Sequence, residues 1–194
     1  MMGSSYVKIP KERIGVLIGS EGKVKEEIER RLGVKLNIDS KEGDVSINLH
    51  PENDDPSAIF RAKEVVLSIG RGFSPEKAFK LLEDEDSYLE IIDLREIVGR
   101  SPSQIKRVKG RVIGREGKMR RTIEELTDTF ISIYGHTVSI IGKIEHVHIA
   151  KEAIMMLIRG SEHSTVNRFL NRRRRELKRR MLELWEPSLK RERE

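Results

Sequence analysis

The stretch KGRVIGREGK at residues 109–118 guides the interpretation of the whole chain, because it recurs. It carries the tetrad GREG at 114–117, preceded by an apolar pair and followed by a segment with helical periodicity. Residues 14–23, IGVLIGSEGK, have nearly the same sequence 95 positions earlier, and Ile28 and Glu29 align with Ile123 and Glu124 at that offset. A constant offset of this kind indicates that one structural unit occurs twice.

Each tetrad has the form G-x-x-G, which permits a sharp turn between helices because glycine adopts positive φ readily. The residues after the second glycine begin a helix, so free amides and a positive dipole end point at the loop. Such a place suits a phosphate, and Lys23 and Lys118 follow the tetrads where a cation would reach it. Both units resemble the KH module, whose G-x-x-G loop clamps about four nucleotides along their backbone.

Other glycine motifs are excluded by spacing. A Walker loop needs a glycine five positions before the Gly-Lys pair and a serine or threonine after it. The second unit has Val112 and Met119 at those positions, and the first has Leu17 and Val24. A single G-x-x-G is equally compatible with a structural turn, but two copies with matched flanks favour a nucleic-acid loop.

Composition narrows the class of protein. The 194 residues suffice for two small domains. The absence of cysteine excludes disulfides, thiolate catalysis and Cys-based zinc sites, and fits a reducing, cytoplasmic interior. No run is apolar enough to span a membrane, and residues 1–10 lack the apolar core of a signal peptide. We therefore expect a cytoplasmic protein without a membrane partner.

Charge is distributed unevenly along the chain. Residues 1–94 hold 14 Lys/Arg and 19 Asp/Glu, a net charge of −5. Residues 95–160 hold 13 and 7, a net of +6, and residues 161–194 hold 11 and 6, a net of +5. Attraction to a polyanion should therefore reside in the second half, while the acidic first half is a better candidate for protein contacts.

The periodicity of apolar residues and the turn residues predict the order β-α-α-β-β-α in both units. The first unit is predicted as strand Ser4–Ile9, helix Lys11–Ile18, helix Lys23–Leu32, strands Val34–Ile38 and Val45–Leu49, and helix Ser57–Gly72. The second is predicted as strand Tyr88–Leu94, a short insert Arg95–Val98, a helix from Ser101, helix Lys118–Thr127, strands Phe130–Tyr134 and Thr137–Ile141, and helix Ile144–Arg159.

We therefore predict an α+β fold of two type I KH domains, each with a three-stranded antiparallel sheet covered by helices, plus a C-terminal helix. The predicted divisions are a first KH domain at 1–72, a helical connector at 73–86, a second KH domain at 87–160, and a basic C-terminal helix and tail at 161–194.

The C-terminal helix is predicted to be amphipathic. Leu170, Leu177 and Leu184 are seven residues apart, with Phe169, Met181 and Trp185 beside them, so this stripe should dock on the second domain or on a partner. The segments 172–175 and 178–180 make the opposite face strongly basic. That face is either simply solvated or in contact with phosphate.

The candidate RNA-binding residues are those of the two loops and the cations around them. In the second unit they are Gly114, Arg115, Glu116, Gly117, Lys118, Arg111 and Arg121; in the first they are Gly19, Ser20, Gly22 and Lys23. The second loop contains a cation and the first does not, so we expect the second to grip RNA more strongly. The expected apolar floor beside the loops is formed by Ile14, Ile28, Leu36 and Ile38 and by Val112, Ile123 and Ile131. Most of these are expected to be core residues, with about two per unit also meeting a base.

No catalytic, metal or cofactor site is predicted. The five histidines are scattered without a helical i, i+4 pair, which makes metal ligation improbable. Glu21 and Glu116 lie in the loops, but metal-dependent nucleases generally gather several carboxylates around their ions. We therefore expect a binding protein and not an enzyme.

The second unit's string GRVIGREGKMRRTIEELT, residues 110–127, resembles the archaeal and eukaryotic Dim/Pno family of KH proteins. The resemblance implies small-subunit ribosome assembly, binding near the 3′ end of small-subunit rRNA, and cooperation with the PIN-domain endonuclease that trims that end. It also implies that Gly114, Arg115, Gly117 and Lys118 hold the RNA backbone. Eukaryotic members have a degenerate first unit, whereas Gly19 and Gly22 are intact here, which resembles the archaeal branch.

Two other functions stay open at this point. One is a general single-stranded RNA-binding adaptor or regulator, associated with the exosome or with mRNA. The other is an RNA-cleaving enzyme. In each case we expect a monomer.

Overall fold

The computed structural model describes residues 4–191, with the side chains of Met181 and residues 184–191 left undescribed. Within that range the chain forms two three-stranded antiparallel sheets, ordered β1-β3-β2 and β4-β6-β5, each with helices packed on one face. The prediction of an α+β fold with two KH domains and a C-terminal helix is confirmed.

The first domain follows the predicted order closely. Its elements are β1 (Ser4–Lys8), α1 (Lys11–Ile18), α2 (Lys23–Leu32), β2 (Val34–Ile38), β3 (Asp44–Leu49) and α3 (Ser57–Gly70). Alternate strand residues, such as Leu36 and Ile47, are fully buried against Leu17 and Ile28 of the helices. Burial of each such side chain contributes about 1.5–3 kcal/mol to stability.

The connector packs into the first core. It consists of α4 (Pro75–Ala78) and a 3-10 turn over Phe79–Leu82. Phe73, Ala78 and Leu81 are buried in the same cluster as the first domain's strands. The connector is therefore part of the folded body and not a loose linker.

The second domain repeats the topology with one extra helix. Its elements are β4 (Ser87–Asp93), α5 (Leu94–Val98), α6 (Pro102–Ile113), α7 (Lys118–Thr127), β5 (Phe130–Tyr134), β6 (Thr137–Lys143) and α8 (Ile144–Ile158). The insert that follows β4 is the short helix α5, capped by the Asp93 carboxylate, which accepts a 2.8 Å hydrogen bond from the Arg95 amide. This insertion has no counterpart between β1 and α1.

Helix α9 (His163–Arg191) docks on the second domain. Val166, Phe169 and Leu170 are buried in the second core, and Leu177 is half-buried against it. Helix α9 packs against α7 and α8. The predicted leucine stripe is thus an intramolecular contact along its first half, while the side chains of Met181, Leu184 and Trp185 lie outside the described residues.

The two domains share an interface on the outer face of the second sheet. Ile141 of β6 is fully buried in the first domain's apolar cluster, with Leu89 and Phe130 packed beside it. Ser132 Oγ donates to the Arg71 carbonyl at 2.8 Å. Among the described residues nothing comparable covers the outer face of the first sheet, where Tyr6 of the edge strand β1 is 74% exposed.

Candidate nucleic-acid interface

The two G-x-x-G loops have the same backbone conformation. The first glycines, Gly19 and Gly114, have φ of 75° and 71°. Both third positions are glutamates in the left-handed region, at 55° in the first loop and 52° in the second. The last glycines, at 82° and 75°, lead directly into α2 and α7. Each loop therefore directs the first amides of a helix toward the space in front of it, where an anion is favoured.

Glycine is required at the first position for steric reasons as well. A Cβ on Gly19 would collide with the side chain of Val24, and one on Gly114 would lie 2.7 Å from Met119 Cβ. The loops are therefore closely backed by the first turn of the following helix. A Cβ on Gly117, in contrast, meets nothing within 4 Å, so only its backbone conformation demands glycine there.

The loops differ in the charge they present. In the first, Lys23 forms a 2.9 Å ion pair with Glu21, which neutralises the cation next to the tetrad. In the second, Arg115 and Lys118 are exposed and have no ion-pair partner among the described residues. Arg121 donates a 2.9 Å hydrogen bond to the Glu116 carbonyl and so stays at the loop. The second loop thus offers more unneutralised positive charge to a phosphate.

A glutamate fixes the edge strand beside each loop. Glu29 Oε1 accepts the amide of Leu36 at 2.7 Å, and Glu124 Oε1 accepts the amide of Ile131 at the same distance. The two glutamates, and the two amides, are each 95 positions apart. Because β2 and β5 are edge strands, these bonds fasten the helix after each loop to the edge of its sheet.

An open groove of about 610 Å³ lies between α5, α6 and the β5–β6 turn of the second domain. Its floor includes Ile105, Gly110 and Ile113, and its rim is cationic. The basic residues that line it are Arg95, Arg100, Lys106, Lys109 and His136. A positive groove of this kind, with an aliphatic floor, suits unpaired nucleotides.

Sequence reasoning missed this cationic rim. Its residues come from three separate segments, and most lie outside the repeated motif. The available signal was the insertion after β4, which brings Arg95 and Arg100 to the groove. The first domain lacks that insertion: Ile9, just before α1, donates its amide to the Gly43 carbonyl of the β2–β3 loop.

The structure bears on two sequence expectations. Most residues of the expected apolar floor were predicted to be core residues, and this is confirmed, since Ile14, Ile28, Leu36, Val112, Ile123 and Ile131 are buried; Ile38 alone of that set is half-buried. Arg111 was expected to face RNA. Its guanidinium instead donates to the carbonyls of Leu157, at 3.0 Å, and Ser161, at 2.8 Å. The Arg111 side chain therefore stabilises the second domain through these two bonds.

In the part of the chain that the structure describes, no group of three or more His, Cys, Asp or Glu side chains lies close enough together to hold a metal ion. No helix of that part is sufficiently long and apolar to cross a membrane.

Comparison with known protein families gives a separate match for each domain. Residues 6–84 match the family described as the Krr1 KH1 domain. Residues 88–175 match the family described as the eukaryotic type KH domain, KH-domain type I. The second match extends into α9, in keeping with the burial of Val166 and Leu170 in that domain.

Comparison with whole proteins extends these matches. The chain is 51% identical to a KH domain-containing protein of Methanocaldococcus jannaschii, over 92% of this chain and 78% of that protein. It is 27% identical to the pre-rRNA-processing protein PNO1 of Candida glabrata, over 81% of this chain and 61% of that protein. A chain of the crystal structure of the a/eIF2α–aDim2p–rRNA complex from Pyrococcus horikoshii is 50% identical, with a TM-score of 0.84 over 90% of this chain and 95% of that chain.

Proposed function

The chain belongs to the Dim2/PNO1 family of tandem KH proteins, and we propose that it is a single-stranded RNA-binding ribosome-assembly factor that acts near the 3′ end of small-subunit rRNA. The observation that carries the proposal is the second loop, where the exposed cations Arg115 and Lys118 lie beside the amides that begin α7. A phosphate satisfies the free amides and the positive charge together. The curated relatives named for pre-rRNA processing support the assembly role.

The proposed binding mode separates backbone contacts from base contacts. Gly114, Arg115, Glu116, Gly117 and Lys118 hold the sugar–phosphate backbone, with Arg121 stabilising the loop through the Glu116 carbonyl. The bases then lie in the groove beside α6, against Ile113 and the cationic rim. Backbone contacts position the strand, while groove contacts to base edges provide sequence preference.

The first domain has the weaker part in this proposal. Its loop has the same conformation at Gly19, Ser20 and Gly22, but Lys23 is paired with Glu21 and the surrounding domain is acidic. It contributes a secondary RNA contact or a protein surface. The protein partner we propose is the PIN-domain endonuclease that trims the rRNA, and we propose a monomeric, cytoplasmic protein without enzymatic activity.

The proposed recognition of the 3′ end of small-subunit rRNA is tested by comparing two oligonucleotides. One has the 3′-terminal rRNA sequence and the other is a scrambled oligonucleotide of the same composition. We expect the rRNA sequence to bind at least tenfold more tightly, because each correct contact to a base edge contributes about 1–3 kcal/mol. Equal affinities would instead favour the second candidate, a general single-stranded RNA adaptor, since phosphate contacts carry no sequence information. Labelled RNA incubated with the protein and a divalent cation should stay intact, and specific cleavage would contradict the assignment as a non-enzyme.

A further inference from the structure

The exposed face of α9 is strongly basic. Residues 163–180 contain eight Lys or Arg and a single acidic residue, Glu176. Arg168, Arg172 and Arg175 are exposed and are spaced four and three residues apart, so they form one stripe along the helix. Because Val166 and Leu170 are buried against the second domain, this stripe faces outward.

The stripe is only partly neutralised within the chain. Arg172 has a long 3.8 Å ion pair with Glu176, and Arg173 is taken up by Glu152 and Glu176. Among the described residues Arg168 and Arg175 have no acidic partner. Like charges three and four residues apart destabilise a helix by a few tenths of a kcal/mol each. A bound polyanion would remove that repulsion.

Helix α9 also begins next to the second loop. Gly114 and Arg115 line a groove of about 610 Å³ together with Glu162, His163 and Ser164 at the start of α9. The His163 ring nitrogen Nε2 lies 2.9 Å from the Arg111 carbonyl, which fixes the helix start against α6. At 1.5 Å per residue, Arg168 lies about 7.5 Å and Arg175 about 18 Å along the axis from His163.

A second groove follows this stripe. It has a volume of about 530 Å³ and is lined by Met156 of α8, Phe169, and the cations Arg168, Arg172 and Arg175. A chain held at the second loop can therefore pass Glu162 at the start of α9 and continue along the cations of that helix. The first domain has no equivalent, because its closing helix α3 is followed by the connector and not by a basic helix.

We propose that the outward face of α9 is a phosphate-binding surface for the nucleotides that flank those held at the second loop. It binds the backbone without sequence preference and lengthens the RNA footprint beyond the four nucleotides of one KH groove. This inference rests on the proposed function, since it assigns the continuation of the same RNA strand.

The test compares a core oligonucleotide of about four nucleotides with the same core carrying eight uridines on each side. For the unmodified protein we expect the flanked RNA to bind at least about tenfold more tightly at low salt, and with a steeper salt dependence. In the triple variant Arg168→Gln/Arg172→Gln/Arg175→Gln this gain in affinity should disappear, so that the flanked RNA binds no more tightly than the core RNA. For flanked RNA the slope of log affinity against log salt should become about two units less steep. Affinity for the core alone should change less than twofold.

A matched control removes three exposed cations elsewhere, in the variant Lys8→Gln/Arg30→Gln/Lys35→Gln. It should retain the gain, and thermal unfolding should show that both variants are folded. If the α9 variant keeps the full gain, or if the unmodified protein shows no gain with normal core binding, the inference is wrong. Failure to bind even the core would overturn the proposed function as well, so the two failures are distinguishable.

Discussion

Arg13 and Arg111 donate to equivalent carbonyl pairs in the two domains although they are not equivalent in the repeat. Arg13 reaches the carbonyls of Ile69, at 2.8 Å, and Phe73, at 2.6 Å. Arg111 reaches those of Leu157 and Ser161, which lie 88 positions after Ile69 and Phe73. At the 95-residue offset of the loops, Arg13 aligns with position 108, three residues before Arg111.

This relationship has a simple physical basis. The last carbonyls of a helix have no donor in a following turn. A planar guanidinium can donate at once to one of them, Ile69 or Leu157, and to a carbonyl just past the helix end. Three residues are about one helical turn, so an arginine at either position projects from the same face of its helix. Each arginine therefore fastens the closing helix of a domain to the helix that precedes its loop.

We call this pair of hydrogen bonds from one arginine to two carbonyls the clamp. It predicts that Arg111→Lys lowers the free energy of unfolding of the second domain by about 2 kcal/mol. Lysine keeps the charge but cannot make both bonds, and charge-assisted hydrogen bonds are worth about 1.5–3 kcal/mol. Urea unfolding measures the loss, and hydrogen exchange assigns it to the second domain. Arg13→Lys should have the corresponding effect in the first domain, whereas Arg107→Lys, at an exposed position of α6, serves as the neutral control.

RNA binding separates this role from the one expected from the sequence. In Arg111→Lys the slope of log affinity against log salt should be unchanged, because the guanidinium is occupied by carbonyls and not by a phosphate. An unchanged stability together with a weaker salt dependence would contradict the clamp.

The third position of each loop predicts a backbone effect. Glu116 has φ of 52°, and the left-handed region costs a non-glycine residue about 1–2 kcal/mol. Glu116→Asn should be neutral or slightly stabilising, because asparagine tolerates this region, while Glu116→Ile should destabilise the second domain by about 1–2 kcal/mol. Thermal unfolding measures both variants.

The matched pair at Glu21, with φ of 55°, should behave in the same way in the first domain. Equal stability of the isoleucine and asparagine variants would mean that the loop does not hold its left-handed conformation.

The charge difference between the loops predicts a ranking of RNA affinities. Arg115→Asp/Glu116→Asp should weaken binding of single-stranded RNA more than Ser20→Asp/Glu21→Asp, because only the second loop loses an unpaired cation. Aspartate tolerates the left-handed region, so neither variant should disturb the loop. Anisotropy titrations at several salt concentrations should show a salt slope lower by about one unit for the second-loop variant. A larger loss in the first-loop variant would reverse the ranking.

The fold was predictable because the residues that begin and end its helices and strands are recognisable locally in the sequence. Helices α1 and α2 are ended by Gly19 and Gly33, and α7 by Asp128, all with positive φ, and the apolar period changes from four residues to two where strands begin. Helices Lys11–Ile18 and Lys118–Thr127 were accordingly predicted with their observed bounds. The repeat itself placed both loops, since the same residues recur at a constant offset.

The remaining features depend on the direction of side chains and on contacts distant in sequence. A cation near a loop was assigned to RNA, yet Arg111 projects from the side of α6 that faces α8. The cationic rim combines Arg95 and Lys106 with the turn at His136. The domain interface left only a weak signal in the sequence. Residues 137–140 alternate between polar and apolar as in a half-buried strand, and only Ile141 breaks the alternation, yet all five residues are buried because the strand is covered on both faces.

A hydrogen bond across that interface predicts a dependence of stability on pH. Tyr134 OH donates to Glu12 Oε1 at 2.6 Å, linking β5 of the second domain to α1 of the first. This bond lowers the pKa of Glu12 below its ordinary 4.5. Burial, together with the bond to Glu12, raises the pKa of Tyr134 above 10.0. The bond therefore needs an ionised Glu12 and a protonated Tyr134.

The variant Tyr134→Phe should be less stable than the unmodified protein at neutral pH. The contribution of ionised Glu12 to the free energy of unfolding is present above pH 4.5 and is lost as the pH falls through the lowered pKa of Glu12 in the folded protein. That of Tyr134 is present below pH 10.0 and is lost as the pH rises through its raised folded pKa. The difference in unfolding free energy between the two proteins should thus shrink at both ends of the pH range, as measured by urea unfolding. Tyr6→Phe, at an exposed tyrosine, should show no such difference, and a Tyr134→Phe difference that stays constant from acid to alkaline pH would contradict the proton linkage.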